Sequence, residues 1–181
     1  ELYDMKNAGA CAFSDGKQTI VNSLLLQKAL LYSRTFNGLI IHFPNDRHIM
    51  GNGQMNEGEM STYLGMAGIP MLAEELGVGR DLRLAEYCEH RIHFSNISSE
   101  KSVRMIEAAR KTILGMTCAV SSTQLLLSDD ELKDYNTNFK MLPPLRTKNE
   151  TKKLIQAIKQ DKIDAIISDH SPENSLNNLN Q

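Results

Sequence analysis

Side chains of the types that bind divalent metal ions stand at the ends of several short apolar runs in this sequence. The set contains two carboxylates and one imidazole, Asp15, Asp169 and His42, and the amide Asn96 stands at the end of another such run. Carboxylate and imidazole ligands suit a hard or borderline divalent metal, which can make hydroxide from water near neutral pH. The pattern predicts a hydrolase.

Each of these residues also has an ordinary structural explanation when it is considered alone. Asp15 precedes Gly16 and could form a turn, and Asp169 could cap a helix. His42 could simply be hydrogen-bonded to its neighbours. The hydrolase hypothesis therefore depends on the shared position of these residues at strand ends.

Short apolar runs alternate with longer segments of helical periodicity, which is typical of βα units around a parallel sheet. The predicted strands are 9–13, 38–43, 91–97, 116–121 and 164–168, and the predicted helices are 22–33, 100–111 and 150–160. The glycine-rich segment 51–68 predicts a long loop. Because the carboxyl ends of parallel strands share one edge, the polar residues should meet there. Periodicity fits both a doubly wound sheet and part of an eight-stranded barrel.

The composition excludes several classes of function. The net charge of -2 leaves no basic face for nucleic acid, and no apolar run is long enough to cross a membrane. Three widely spaced cysteines fit a reducing compartment, so we expect a cytoplasmic protein. The chain begins at Glu1 without an initiator Met, and we interpret it as part of a longer protein.

Several motifs resemble those of multifunctional-complex-type dihydroorotases. Met-Asn-Glu-Gly at 55–58, Gly-Ile-Pro at 68–70, Ala73-Glu74 and Arg80-Asp81 are similar to the long loop and following helix of that family. Phe-Ser-Asp-Gly at 13–16, Pro-Pro-Leu-Arg at 143–146 and the stretch 163–172 extend the likeness through nearly the whole chain. The resemblance implies an α/β fold, part of a (β/α)8 TIM-type amidohydrolase barrel with outer helices. Residues 1–173 would hold its fourth to eighth strands, and 174–181 would form a disordered tail.

The resemblance also implies roles for the strand-end residues. Asp15 matches the carboxylate that bridges the metals, His42 matches a zinc ligand, and Asp169 matches a carboxylate that both binds metal and transfers the proton in catalysis. Asn96 stands where the family has a zinc-binding histidine, so it marks a lost ligand position. His93 is expected to point toward the helices, because side chains alternate along a strand. The implied cofactor is zinc, retained or lost.

Two substrate-binding positions differ from the family pattern. Leu142 replaces an asparagine, and Glu173 replaces a histidine that helps to hold the substrate. A carboxylate at position 173 would repel an anionic substrate. Thr123 and Gln124, which follow the predicted strand 116–121, stand where the family has a pair of histidines.

Three functional hypotheses follow. The first is an active dihydroorotase, which interconverts N-carbamoyl-L-aspartate and dihydroorotate, its small-molecule partners. The second is an inactive homologue that serves as a structural partner of aspartate carbamoyltransferase; in either case we expect a homo-oligomer. The third is an amidohydrolase of another cyclic amide, such as a hydantoin, with Leu142, Thr123 and Gln124 as new specificity residues.

Overall fold

The computed structural model of the chain describes residues 1–170, so the predictions for Glu173 and for the tail 174–181 lie outside the described residues. The strands are β1 Ala12–Phe13, β2 Leu39–His42, β3 Met55–Asn56, β4 Gly68–Ile69, β5 Ile92–Phe94, β6 Thr117–Ser121 and β7 Ala165–Ile167. The α-helices are α1 Leu2–Asn7, α2 Ser23–Arg34, α3 Arg47–Met50, α4 Glu59–Leu64, α5 Met71–Cys88, α6 Glu100–Ala109, α7 Ser122–Leu126 and α8 Lys148–Lys159. Two 3-10 turns span Asp129–Leu132 and Thr137–Phe139.

The main sheet contains five parallel strands in the order β1-β2-β5-β6-β7. Each strand lies within a predicted strand range, which confirms the βα interpretation. Every strand of this sheet pairs with the next one along the chain, as in a barrel. A doubly wound sheet would instead reverse its strand order at a switch point. The topology therefore favours the barrel alternative.

Two of the predicted helices begin at residues whose side chains cap the helix N-terminus. The Asn22 side chain accepts hydrogen bonds from the N–H groups of Leu24 and Leu25, which caps α2. Thr147 accepts from the N–H of Glu150 at the start of α8, so this helix begins two residues before the predicted 150. Within residues 1–170, no helix combines the length and the apolarity that crossing a bilayer requires.

The helices cover one face of the sheet. Buried strand side chains on this face include Ile40, Ile92 and Phe94, and they share one core with Leu26 of α2 and Val78 of α5. Burial of such side chains provides the main driving force for this packing.

His93 lies on the opposite face of β5 from Ile92 and Phe94, so the prediction that it points toward the helices is wrong. Its Nδ1 is 2.8 Å from the Thr117 hydroxyl on the neighbouring strand. The prediction counted alternation back from Asn96. Because β5 ends at Phe94 and Asn96 has a positive φ of 54°, the alternation does not extend that far.

The segment 51–68 is more ordered than the predicted loop. It contains β3 and α4, and β3 pairs in parallel with β4, which begins at Gly68, the last residue of the segment. Met55 is buried here with Leu64 and Leu132 in a second, smaller core. Gly68 is required by close packing, since a Cβ at this position would lie 2.5 Å from the Glu57 Cα.

Two partly or fully buried histidines should make the fold sensitive to acid. Burial lowers the pKa of both His90 and His93. The unfolded chain binds protons at a pKa of about 6.5, so it holds more protons than the folded chain below that pH. Stability is therefore expected to fall as the pH drops below about 6.5 toward the lowered folded-state pKa values.

Urea unfolding midpoints at about pH 7.5 and about pH 5.5 measure this loss. His93→Asn should reduce the difference between the two midpoints, whereas His48→Asn, at an exposed position, should not. Equal pH dependence in the two variants would contradict the assignment to His93.

Candidate active site

Asp169 lies at the carboxyl edge of the sheet between an amide and an ammonium group. Asn96 Nδ2 donates to Asp169 Oδ1 at 3.0 Å, and Lys17 Nζ forms an ion pair with Oδ2 at 2.9 Å. Asn96 and Asp169 both adopt positive φ angles, 54° and 53°. Such backbone strain in residues other than glycine clusters at functional sites. The structure thus brings together two residues that the sequence singled out, and adds Lys17.

His42 is buried, and both of its ring nitrogens have partners. Nδ1 lies 2.6 Å from Asp81 Oδ2, and Nε2 accepts the backbone N–H of Ile20 at 2.9 Å. Because Nε2 accepts a hydrogen bond, the ring proton is on Nδ1, and Nδ1–H donates a hydrogen bond to Asp81. Arg80 holds the other oxygen of Asp81. A carboxylate behind a histidine is common around metal ligands, but here Nε2 is already engaged.

Asp15 lies in an exposed turn after β1. Its carbonyl oxygen accepts the N–H of Gln18, and Gly16 follows with a φ of 64°. In the described part of the chain, the Asp15 side chain makes no hydrogen bond or ion pair. The turn interpretation thus accounts for its backbone, and within residues 1–170 its side chain forms no hydrogen bond or ion pair with His42 or Asp169.

The residues described do not fit the zinc site that the resemblance implies. Within 1–170, no group of three or more histidine, cysteine or acidic side chains is arranged to hold a metal ion. An ammonium and an amide contact Asp169, and a backbone N–H occupies His42. Asn96 Oδ1 is buried without a partner, but a neutral amide oxygen is a weak zinc ligand. The metal roles of Asp15, His42 and Asp169 stay predictions.

A cleft of about 250 Å³ opens beside Lys17, the ion-pair partner of Asp169. Its lining consists of two cations, three polar residues and three apolar ones: Lys17, Arg47, Gln18, Thr19, Asn45, Phe43, Met50 and Leu142. The Thr19 hydroxyl donates to the Phe43 carbonyl oxygen at 2.5 Å and accepts the Asn45 N–H at 3.0 Å. This hydroxyl ties the loop after β1 to the loop after β2. Leu142, a predicted substrate position, lies in the cleft wall.

Gln124 supports the turn that carries Leu142. Its Nε2 donates to the carbonyl oxygens of Pro143 and Pro144, at 3.1 and 2.9 Å, and the residue is buried. Thr123 shares a hydrogen bond with Ser121. Of the three residues that the hydantoin hypothesis would use for specificity, Leu142 lines the cleft, whereas Gln124 is held by the turn.

A buried polar network beneath the site was not predicted from the sequence. Glu74 on α5 accepts from the N–H groups of Ser98 and Ser99 at the start of α6, and from the Ser98 hydroxyl. Arg146 donates to Ser98 Oγ at 3.0 Å and to Asn56 Oδ1 at 2.9 Å. The Ser99 side chain makes no capping hydrogen bond, and the N–H of Glu100, the first residue of α6, donates to Glu150 Oε2 at 3.1 Å.

Arg146 is the centre of this network. Its guanidinium also donates to the Ile69 carbonyl oxygen at 3.1 Å, and the side chain is almost fully buried. Burial lowers the pKa of Arg146, and the nearby Glu74 opposes that effect. The network joins β3, β4, α5, the end of β5 and the turn at 142–146. Most residues of this network belong to the family motifs, and those motifs were the sequence signal that could have drawn attention to them. The sequence does not show which buried charges pair.

A sheet of parallel strands in chain order, covered by helices and carrying a cleft at its carboxyl edge, defines part of a β/α barrel. Solved structures agree. An L-hydantoinase (dihydropyrimidinase) from Arthrobacter aurescens superposes with a TM-score of 0.81 at 20% identity, over 94% of this chain and 40% of that one. A D-hydantoinase (dihydropyrimidinase) from Thermus sp. gives 0.81 at 17% identity, over 96% and 40%. These likenesses confirm the partial β/α-barrel fold.

The sequence comparison identifies the family. Residues 1–102 match the family described as dihydro-orotase-like, and the chain belongs to that family. The dihydroorotase of Syntrophus aciditrophicus is 39% identical over 172 residues, 95% of this chain and 40% of the relative. That of Acetivibrio thermocellus is 39% identical over 175 residues, 97% and 41%. The chain therefore spans about two-fifths of the length of these relatives.

Proposed function

We propose that the protein containing this chain is a dihydroorotase-like cyclic amidohydrolase of pyrimidine biosynthesis, acting on N-carbamoyl-L-aspartate and dihydroorotate. The relatives named above are dihydroorotases, and the family comparison supports the same class. The observation that carries the proposal is the placement of Asp169, whose ion-pair partner Lys17 lines the cleft. A carboxylate is thus available next to a space that fits a small metabolite.

Asp169 would transfer the proton in this reaction. Opening a cyclic amide needs a base for the attacking water and an acid for the leaving nitrogen, and one carboxylate can serve both steps. Lys17 and Asn96 hold the two carboxylate oxygens and thereby orient the side chain. In the ring-closing direction the same transfers run in reverse.

Zinc bound by Asp15, His42 and Asp169 belongs to the proposal only as a prediction. The family is metal-dependent in general. For the zinc site to form, Lys17 would have to leave Asp169, and the Ile20 N–H would have to leave His42 Nε2. Cytoplasmic location and homo-oligomeric assembly also stay predictions.

A second candidate function is favoured by one observation. Asn96 donates a hydrogen bond to Asp169 and Lys17 neutralises its charge, which is the arrangement expected when a metal site has been lost. The protein would then be an inactive homologue, and its barrel would serve as a structural partner of aspartate carbamoyltransferase.

One pair of measurements on the full-length protein separates the two candidates. Elemental analysis gives the zinc content, and an assay of N-carbamoyl-L-aspartate cyclisation gives the activity. The enzyme proposal expects turnover that is lost in Asp169→Asn. A folded wild-type protein without turnover in either direction would overturn the enzyme proposal and favour the structural one.

Asn96→His is expected to tighten zinc binding by about tenfold or more in the full-length protein, because imidazole is a far better zinc ligand than an amide. Asn37→His is the matched control, since Asn37 has the same φ of 54° but is exposed and precedes β2, at the amino edge of the sheet. Competition with a zinc-binding dye measures both affinities. Equal affinities in the two variants would show that position 96 does not mark a lost ligand.

A further inference from the structure

The cleft carries two positive charges and no negative side chain in its lining. Lys17 shares its charge with Asp169. Arg47 makes no ion pair with any residue of 1–170, and its guanidinium is available to a ligand. A planar guanidinium binds a carboxylate through two parallel hydrogen bonds. The cleft therefore suits an anionic ligand, with Arg47 as the main uncommitted cation.

Asn45 contributes a buried acceptor to the same cleft. The residue is 4% exposed, and its Oδ1 makes no hydrogen bond within the described chain. The amide nitrogen already faces Met50 Sδ at 3.3 Å, and sulfur can only accept, which assigns the free atom as the oxygen. Buried polar atoms in proteins nearly always have a partner, so a missing partner points to a ligand or a water. The partner must be a donor, such as an N–H group.

The backbone holds Asn45 and Arg47 in place. The Asn45 N–H is bound to the Thr19 hydroxyl, and Asp46 caps the short helix α3 that begins at Arg47. The side of Asn45 toward α5 is closed, because Gly77 packs directly against its backbone. The acceptor and the cation therefore stand two residues apart on one ordered segment at the cleft.

We propose that Arg47 and Asn45 determine substrate specificity: Arg47, assisted by Lys17, binds the substrate carboxylate, and Asn45 Oδ1 accepts a hydrogen bond from the adjacent substrate N–H. This inference rests on the proposed function, because dihydroorotate carries a ring N–H next to its carboxylate. Lys17 contacts both this subsite and Asp169, so the bound ring would lie beside the proposed catalytic carboxylate.

The test compares two ligands that differ only in the carboxylate. Dihydroorotate and dihydrouracil share the ring, and calorimetric titration of the full-length protein gives a Kd for each. Arg47→Gln is expected to weaken dihydroorotate binding by about tenfold or more and to leave dihydrouracil binding unchanged. Asn45→Ala should weaken both ligands, because both carry the N–H. Arg83→Gln, a highly exposed position, is the control and should change neither.

The outcomes distinguish this inference from the proposed function. Wild-type binding of dihydroorotate that Arg47→Gln and Asn45→Ala leave intact would overturn the subsite and keep the proposed function. Failure of the folded wild-type protein to bind either ring would overturn both. Loss of both rings in Arg47→Gln, with an unchanged circular dichroism spectrum, would overturn the carboxylate role of Arg47.

Discussion

Replacing Arg146 with methionine is expected to lower the free energy of unfolding by about 3–5 kcal/mol. The side chain is buried with hydrogen bonds to Ser98, Asn56 and the Ile69 carbonyl, and its charge lies 3.9 Å from the Glu74 carboxylate. Methionine fills similar space but leaves the buried Asn56 Oδ1 without this donor and Glu74 without a compensating charge. Removing one partner of a buried charged group costs far more than removing an exposed pair.

Urea unfolding of the purified protein measures this loss. Arg104→Met is the matched control, since the exposed Arg104 pairs with Glu100 one helical turn away and should contribute less than about 1 kcal/mol. The double variant Glu74→Gln/Arg146→Met should lose less than the sum of the two single variants, because it leaves no unpaired charge. A loss in Arg146→Met no larger than that in Arg104→Met would contradict the network.

Gly77→Ala is expected to destabilise the protein by about 1–3 kcal/mol, although alanine favours a helix. A Cβ at this position of α5 would lie 2.6 Å from the Asn45 backbone nitrogen and 2.8 Å from the Pro44 carbonyl carbon. Both are backbone atoms, so the loop after β2 must move. The gain in helix propensity is about 1 kcal/mol at most, and the clash exceeds it.

Gly79→Ala on the same helix is the control. Its Cβ would lie 3.3 Å from the end of the flexible Met105 side chain, so this variant should be neutral or slightly more stable. Thermal unfolding compares the two variants, and titration with dihydroorotate should show weaker binding in Gly77→Ala alone, since Asn45 moves. Equal stability and equal binding would show that the loop adapts without cost.

The fold was predictable because it follows from local patterns. Apolar runs and helical periodicity located the five strands of the main sheet and helices α2, α6 and α8. The errors occurred where contacts between distant segments decide the conformation. The segment 51–68 forms paired strands because Met55 and Leu64 bury themselves against Leu132, more than 60 residues away in the chain. His93 was assigned to the wrong face because alternation does not hold beyond the end of a strand.

The candidate site shows the same division. Residue types and spacing singled out Asp15, His42, Asn96, Asp169 and Leu142. They could not show that His42 pairs with Asp81, or that Lys17 and Asn96 hold Asp169, since these partners are 39 to 152 positions apart. Arg47 and Asn45 were not identified, because neither belongs to a motif and their meaning depends on a cleft.

By itself, the sequence determined the parallel βα architecture, the family and the strand-end positions where a site would form. These features depend on short-range periodicity and on recognisable motifs. Only the tertiary structure decided which of those residues meet, because each hydrogen bond and ion pair depends on distances of a few ångströms between remote parts of the chain. In place of the single metal-binding group at the strand ends that the residue types suggested, the structure has a carboxylate held by Lys17 and Asn96, a histidine held by Asp81, and a cationic cleft beside them.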